Sequence, residues 1–91
     1  MIRWSKGGEA EVSVADDDRV TVRSTIPSAP GSRIEGTMPS GAPIRIKVAR
    51  CKADDGAFRI EGKMLDATRA HRDEAASLVA AAKAGEGPTQ G

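Results

Sequence analysis

The sequence predicts a mainly β protein, a small antiparallel β-barrel of five to six short strands followed by a C-terminal α-helix. Three observations support this prediction. Apolar and polar residues alternate with a period of two along several short runs, as in strands with one buried face. Clusters of Asp, Gly and Pro separate these runs at intervals of about ten residues, a spacing typical of small barrels. After the last run, the spacing of the apolar residues becomes helical.

The first predicted hairpin spans residues 9–23. Its two runs place alternate residues in the core, namely Ala10, Val12, Val14, Val20 and Val22. Asp16-Asp17-Asp18 separates the runs, because Asp favours turns and is poor in strands. Met1 to Gly8 are interpreted as a lead-in segment in which Trp4 packs on the core.

In the middle of the chain, the sequence predicts a loop, a short strand and a second turn. Residues 27–33 contain two prolines and a glycine, which exclude a regular strand or a helix interior there. The strand that follows has Ile34, Gly36 and Met38 on one face, and its glycine predicts a bulge or a close backbone approach. Pro39 to Pro43 form the next predicted turn.

The clearest strand runs from Ile44 to Val48, with its isoleucines and valine facing the core. Asp54-Asp55-Gly56 is a strong turn signal that leads into a further strand. That strand, Phe58 to Met64, turns its even-numbered residues inward. Together with the earlier runs, this hairpin completes the predicted barrel.

The predicted helix begins after Asp66, which would cap it, with Leu65 as an apolar staple just before the cap. Its inner face combines residues at helical spacing that would plug the open end of the barrel: His71, Ala75, Leu78, Val79 and Ala82. Gly85 suits the position after the helix end. We therefore expect the barrel domain to span residues 9–84 and residues 85–91 to be a disordered tail.

Composition limits the function. The chain has 91 residues, one Cys, one His and a formal net charge of +1. These counts exclude an internal disulfide framework and metal sites built on several thiolates or histidines, and they argue against a strongly basic nucleic-acid module. No apolar stretch has signal-peptide or membrane length, so we expect a cytoplasmic protein without a membrane partner. A core this small makes a protein partner or a homodimer plausible.

Catalysis is not expected. Nucleophilic chemistry needs a nucleophile beside a base, and the spacing does not bring Cys51 and His71 together. Cys51 is interpreted as a structural or surface thiol, and His71 as a residue at the inner edge of the helix. Asp16-Asp17-Asp18 lacks the ligand spacing of a calcium loop and is interpreted as a solvated turn, so no metal or cofactor is predicted.

The outer side of the last hairpin offers a basic sheet face that could meet phosphates, formed by Arg45, Lys47, Arg59 and Lys63. Pairing Val48 near Ile60 would put Lys47 opposite Glu61, an exposed pair worth about 0.2–1 kcal/mol. An ordinary solvated surface is the other interpretation, because Glu61 lies among the cations and no aromatic side chain is available for stacking bases. The corresponding function would be a small SH3-like or OB-like barrel that binds nucleic acid.

The loop of residues 27–33 is a second candidate. Arg23 precedes it and Arg33 follows it, and guanidinium groups bind phosphate oxygens and the guanine edge bidentately. Ser28 could donate a hydrogen bond, and Gly31 lets a ligand approach the backbone. A nucleotide could rest there, although an ordinary crossover loop with flanking charges explains the same residues.

The stretch from Val20 to Ala82 resembles the PilZ domain family in the order of its parts. A strand leads into a Ser-x-x-Gly loop, a short strand and a turn, and then a strand, a hairpin return and a closing helix follow. The corresponding segments are Ser28-Ala29-Pro30-Gly31, Met38 to Pro43, Ile44 to Val48 and Phe58 to Met64.

The resemblance implies a six-stranded barrel that binds cyclic di-GMP through an Arg-x-x-x-Arg segment and an Asp/Asn-x-Ser-x-x-Gly motif. Arg19 and Arg23 have the first spacing, whereas Ile26 stands at the acidic or amide position of the second. The implied ligand contacts are Arg19, Arg23, Ser28, Gly31 and Arg33. Family members without the motif act as adaptors, so the resemblance implies a small regulatory module that docks to a protein partner, with cyclic di-GMP as a candidate modulator.

Overall fold

The structure, a computed structural model, describes residues 1–86. Within them the chain forms six strands and one helix: β1 (Ile2–Trp4), β2 (Glu9–Asp16), β3 (Arg19–Ser24), β4 (Arg33–Thr37), β5 (Pro43–Asp54), β6 (Ala57–Met64) and α1 (Arg69–Glu86). The strands close into a barrel in the order β1-β2-β3-β6-β5-β4, and every neighbouring pair is antiparallel. The predicted fold class, an antiparallel barrel with a C-terminal helix, is confirmed.

Strand β1 closes the barrel, although the sequence pattern assigned its residues to a lead-in segment. It pairs with β2 through Ile2 and Ala10 and with β4 through Trp4 and Gly36. A Cβ atom at Gly36 would lie 2.6 Å from the Arg3 carbonyl oxygen, so the glycine permits the close approach that its position in a strand predicted. The barrel therefore begins at Ile2 and not at Glu9. Three residues are too few for a period of two to be recognised.

The two tightest hairpins turn at the predicted aspartates. Between β2 and β3 the turn consists of Asp17 and Asp18, and Asp17 adopts a φ of 57°. Between β5 and β6 Asp55 and Gly56 both have positive φ, at 52° and 83°. This conformation matches the twist of the flanking strands and favours Asp-Gly.

Two irregularities in strand pairing change which residues face outward. The register of β2 against β3 shifts between Val12 and Val14, and that of β5 against β6 shifts between Val48 and Arg50. Because a shift of one residue exchanges the two faces of a strand, Val14 points outward and is 49% exposed. The prediction of Val14 as a core residue is wrong for this reason.

The register of the last hairpin also differs from the prediction. Lys47 lies opposite Lys63 and not opposite Glu61, which instead pairs with Arg50. The two-residue turn at Asp55–Gly56 sets the pairing near the hairpin tip, and the irregularity in β5 then adds an unpaired residue. Together they bring two lysines to directly opposed positions.

The core fills the barrel with aliphatic side chains and one indole. Its buried apolar members are Ile2, Trp4, Ala10, Val12, Val20, Val22, Ile34, Met38, Ile44, Ile46, Val48, Ile60, Met64 and Ala75. The Trp4 indole N–H donates to the buried Ser24 hydroxyl at 2.9 Å, and that hydroxyl donates to the Ile26 carbonyl at 2.7 Å. The polar atoms in this part of the core are thereby satisfied. Of the other predicted core residues, Ile26, Leu78 and Val79 pack half-buried against the core, and Phe58 is half-buried.

Helix α1 covers the end of the barrel at which the β2–β3 turn lies. Ala75 is 0% exposed, and Leu78 and Val79 pack partly buried against the core. The small side chain at Ala75 lets the helix axis approach the strand ends closely. The helix thus closes the barrel as predicted.

Thr68, and not the predicted Asp66, caps the helix. The Thr68 hydroxyl accepts from the backbone N–H of His71 at 3.4 Å, the geometry of an N-cap residue. Asp66 lies outside the helix with a φ of 52°, and its carboxylate accepts from Arg45 at 2.7 Å. Asp66 lies in the connection between the end of β6 at Met64 and the helix, and the cap falls on the next hydroxyl-bearing residue.

Polar contacts attach α1 to the barrel end. Arg72 Nε donates to Asp18 Oδ1 at 2.8 Å and lies 3.4 Å from Asp17 Oδ1. The hydrogen bond to Asp18, together with the negative charge of that carboxylate, raises the pKa of Arg72 above its ordinary value. The Glu74 carboxylate accepts from Ser40 at its backbone nitrogen (3.0 Å) and its hydroxyl (2.6 Å). The predicted solvated turn is therefore a docking point for the helix.

The helix continues past its predicted end. Gly85 belongs to α1, which ends at Glu86, so the glycine does not form the expected C-terminal cap. Residues 87–91 of the predicted disordered tail lie outside the described residues, as does the side chain of Ala82. Within the described part, α1 is not apolar enough along its length to cross a membrane.

Candidate functional site

Four basic residues form a row across four neighbouring strands, which we call the basic row. Arg33 of β4 is paired with Lys47 of β5, Lys47 with Lys63 of β6, and Lys63 with Arg19 of β3. All four side chains are exposed. Directly opposed residues of antiparallel strands point to the same side of the sheet with Cβ atoms about 4.5–5.5 Å apart. The row is therefore a continuous cationic band around this side of the barrel.

A second row lies nearer the β5–β6 turn. Lys52 is paired with Arg59, and Arg59 with Arg23. Arg50 lies between the two rows, opposite Glu61. We call the combined surface the basic face, which holds eight of the 14 lysines and arginines of the chain: Arg19, Arg23, Arg33, Lys47, Arg50, Lys52, Arg59 and Lys63.

Few contacts neutralise these cations. Glu61 Oε2 lies 3.8 Å from Arg59 Nε, and Arg23 Nη2 donates to the Asp55 carbonyl at 3.3 Å. Both contacts are long and solvent-exposed, so they contribute little stability. At the border of the face, Asp16 is paired with Arg19 and Glu11 with Arg23. Like charges at directly opposed positions are destabilising, so the basic row lowers the stability of the sheet.

Arg45, a member of the predicted basic sheet face, is engaged elsewhere. Its guanidinium binds the carboxylate of Asp66 at 2.7 Å, and its cross-strand neighbour on β4 is Glu35. With two acidic neighbours, Arg45 has little unbalanced charge to offer an anion. The other three residues of the prediction, Lys47, Arg59 and Lys63, belong to the basic face.

A concavity of about 520 Å³ lies on the basic face beside the basic row. Exposed Val14 and Ala49 contribute apolar surface to it, and half-buried Thr21 also lines it. Its charged lining consists of Asp16, Arg19, Lys47, Glu61 and Lys63. Both irregular pairings described above border this concavity, since they turn Val14 outward and leave Ala49 without a cross-strand partner. The result is an apolar floor inside a rim of three cations and two carboxylates.

The structure does not gather the arginines of the predicted nucleotide site into one concavity. Arg19 lines the concavity just described, whereas Arg23 lies at the other end of β3, beside Thr25 and Ala57. Arg33 lines a shallow depression with Lys6 and Glu35. The three arginines share one broad outer surface, and they lie far apart on it.

The predicted contacts in the loop use their polar groups internally. Ser28 is 6% exposed, and its hydroxyl is hydrogen-bonded to the Ser32 hydroxyl at 2.9 Å. The Gly31 N–H donates to the Val48 carbonyl at 2.6 Å, and the Val48 N–H donates to the Ser32 carbonyl at 2.8 Å. These bonds attach the loop to β5 and occupy the donors that a ligand would need.

His71 and Cys51 lie in different surroundings. The imidazole Nδ1 of His71 accepts from the Thr68 backbone N–H at 3.1 Å, so Nε2 carries the proton and donates to the Pro43 carbonyl at 2.8 Å. His71 thereby ties the start of α1 to the start of β5. Cys51 is half-buried in β5, paired with Ile60, and packs against the core.

Sequence reasoning missed Arg50 and Lys52, because the alternation in β5 breaks after Val48. A usable signal was the turn at Asp55–Gly56. A two-residue turn requires both strands to reach it, so β5 had to extend to Asp54 and carry these cations into the sheet.

Comparisons of the chain with protein-family models, with curated proteins and with solved structures found no match.

Proposed function

We propose that this protein is a small nucleic-acid-binding module that holds the phosphate backbone on its basic face. The supporting observation is the basic row, in which Lys47 and Lys63 are directly opposed and have Arg33 and Arg19 as their outer neighbours. Directly opposed like charges destabilise the sheet in the absence of an anion. Bound phosphates would remove this repulsion, so the arrangement favours a polyanionic partner.

The spacing of the cations suits a chain of phosphates. Neighbouring strands lie about 4.8 Å apart, and residues two apart on one strand are separated by about 6–7 Å. Long lysine and arginine side chains can adjust over such distances, and guanidinium groups grip phosphate oxygens bidentately. The basic face therefore offers several contacts in two directions, which favours an extended polyanion over a single small anion.

The distribution of charge explains how a protein of net charge +1 could act in this way. Glu9 and Glu35 oppose Arg3 and Arg45, which are outside the basic face, whereas Glu11 borders that face opposite Arg23. Asymmetric charge of this kind orients an approaching polyanion towards one side of a nearly neutral protein.

The proposed binding does not involve base stacking on aromatic rings. Trp4 is 4% exposed inside the barrel, and Phe58 shares the inward side of β6 with Ile60. Phosphate contacts would supply most of the affinity, so binding is expected to depend steeply on salt and weakly on base sequence.

Fluorescence anisotropy with labelled DNA and RNA oligonucleotides tests the proposal. We expect the affinity to fall by at least tenfold between about 50 and about 200 mM salt. Lys47→Glu combined with Lys63→Glu should abolish binding, whereas Arg3→Glu combined with Arg69→Glu, the same change of net charge outside the basic face, should leave most of it. Equal binding by the two double variants would refute the proposal.

A calorimetric titration with cyclic di-GMP tests the function implied by the PilZ resemblance. The ligand would be expected to contact Arg19 and Arg23, whose side chains lie on the outer side of β3. Saturable heat that disappears in the Arg19→Ala variant would favour a sensor. Without such heat, and with no oligonucleotide bound, an adaptor that docks to another protein would be the better proposal.

A further inference from the structure

We infer that the concavity on the basic face seats one unstacked base of a single-stranded nucleic acid, while the basic row binds the adjoining phosphates. This inference rests on the proposed function and deepens it. Phosphate binding alone would be satisfied by a duplex or a single strand. The apolar floor beside the basic row favours a single strand, because only an unstacked base can cover it.

The irregular pairing turns the apolar floor towards solvent, and Val14 is not among the described residues that pack the core. Among the described residues, the exposed large apolar side chains are Val14, at 49%, and Met1. Ala49 continues the apolar surface within the same concavity. A flat apolar group that covered these side chains would exclude water from them, which favours its binding.

The lining of the concavity combines this floor with the groups that a nucleotide requires. Lys47, Lys63 and Arg19 can reach phosphate oxygens at the rim. The Glu61 carboxylate can accept a hydrogen bond from an exocyclic amino group, as carboxylates do from cytosine. The position of Glu61 beside Lys47 and Lys63, which is unfavourable for a plain phosphate site, is thereby explained. Asp16, the second carboxylate of the lining, is paired with Arg19 at its border.

The size of the concavity fits a nucleotide unit. Its volume of about 520 Å³ falls within the range of small-ligand sites, roughly 300–1,000 Å³. A base in a duplex is stacked and presents only its edges in the grooves, so it cannot cover an apolar floor. Single-stranded segments can splay a base into such a site at little energetic cost.

The test compares three labelled probes of equal length: a single-stranded oligodeoxycytidine, an oligomer of abasic sites with the same phosphates, and the oligodeoxycytidine in a duplex with its complement. We expect the single strand to bind about tenfold more tightly than the abasic oligomer and more tightly than the duplex. In the Val14→Ser variant, the advantage over the abasic oligomer should disappear, while affinity for the abasic oligomer stays unchanged. Thr37→Ser, a similar truncation on the exposed side of β4, should preserve the advantage.

The outcomes separate this inference from the proposed function. Equal affinity for the single strand and the abasic oligomer, or tighter binding of the duplex, would overturn the base seat and leave phosphate binding intact. An advantage that survives in the Val14→Ser variant would overturn the location of the seat. Failure of all three probes to bind would overturn both proposals. Circular dichroism of each variant confirms that the barrel is folded.

Discussion

Lys47 of β5 lies directly opposite Lys63 of β6, and each has a further cation as its neighbour across the sheet. The pairing follows from the tight turn at Asp55–Gly56 and from the irregularity between Val48 and Arg50. An isolated barrel gains no stability from it, because opposed like charges repel. The fold therefore does not require Lys47 and Lys63 to be opposed, whereas a polyanionic partner would make this arrangement favourable.

Replacing Lys63 with Glu should stabilise the free protein and weaken its binding of nucleic acid. The carboxylate would face Lys47 and Arg19, and each converted pair should raise the free energy of unfolding by about 0.2–1 kcal/mol. Urea denaturation measures the first effect and anisotropy the second. Thr37→Glu is the control, because it places a new carboxylate opposite Arg3 and outside the basic face. A Lys63→Glu variant that is both less stable and equally able to bind would contradict this account.

Replacing Ala75 with Asp should undock α1 from the barrel. Ala75 is 0% exposed, and burying a polar group there without a partner costs at least about 2 kcal/mol. Chemical denaturation, followed by Trp4 fluorescence, gives the loss in the free energy of unfolding. Ala76→Asp changes the neighbouring exposed position of the same helix and should alter stability by less than about 0.5 kcal/mol. Equal losses in the two variants would mean that the helix does not close the barrel.

Replacing Gly36 with Ala should displace β1 from β4. The new methyl group would lie 2.6 Å from the Arg3 carbonyl oxygen and 2.8 Å from Trp4 Cε3. Overpacking of this kind typically costs about 1–3 kcal/mol. Trp4 fluorescence should shift to longer wavelength as the indole becomes hydrated, and amide exchange in β1 should accelerate. Glu35→Ala, at the adjacent exposed position, should leave both measurements near those of the unchanged protein.

Replacing Arg72 with Met should lower the melting temperature by loosening the start of α1. The variant loses the hydrogen bond to Asp18 and the nearby charge of Asp17 while it retains much of the apolar length of the side chain. A double-mutant cycle with Asp18→Asn isolates the pair. We expect the effect of Arg72→Met to shrink clearly in the Asp18→Asn background. Fully additive effects would show that the contact makes no separate contribution.

The candidate site was only partly predictable. Alternation alone placed Lys47, Arg59 and Lys63 on the outer side of their strands, and this is confirmed. It could not show that Lys47 opposes Lys63, because an opposed position depends on register, and register depends on the turn and on an irregularity that leaves no pattern of its own. The exposure of Val14 was missed for the same reason, since its strand reads as a continuous alternation.

The sequence by itself determined the class of the fold. Val20 and Val22 face inward, Asp55–Gly56 turns the last hairpin, and the segment around Ala75 is a helix with one buried side, because each of these features depends on neighbours close in the chain. Only the tertiary structure decided the rest. Closing the barrel recruits Ile2–Trp4 as a strand and bends β2 and β5 out of simple alternation. Contacts between strands distant in the chain then bring dispersed cations together, and no local pattern records such contacts.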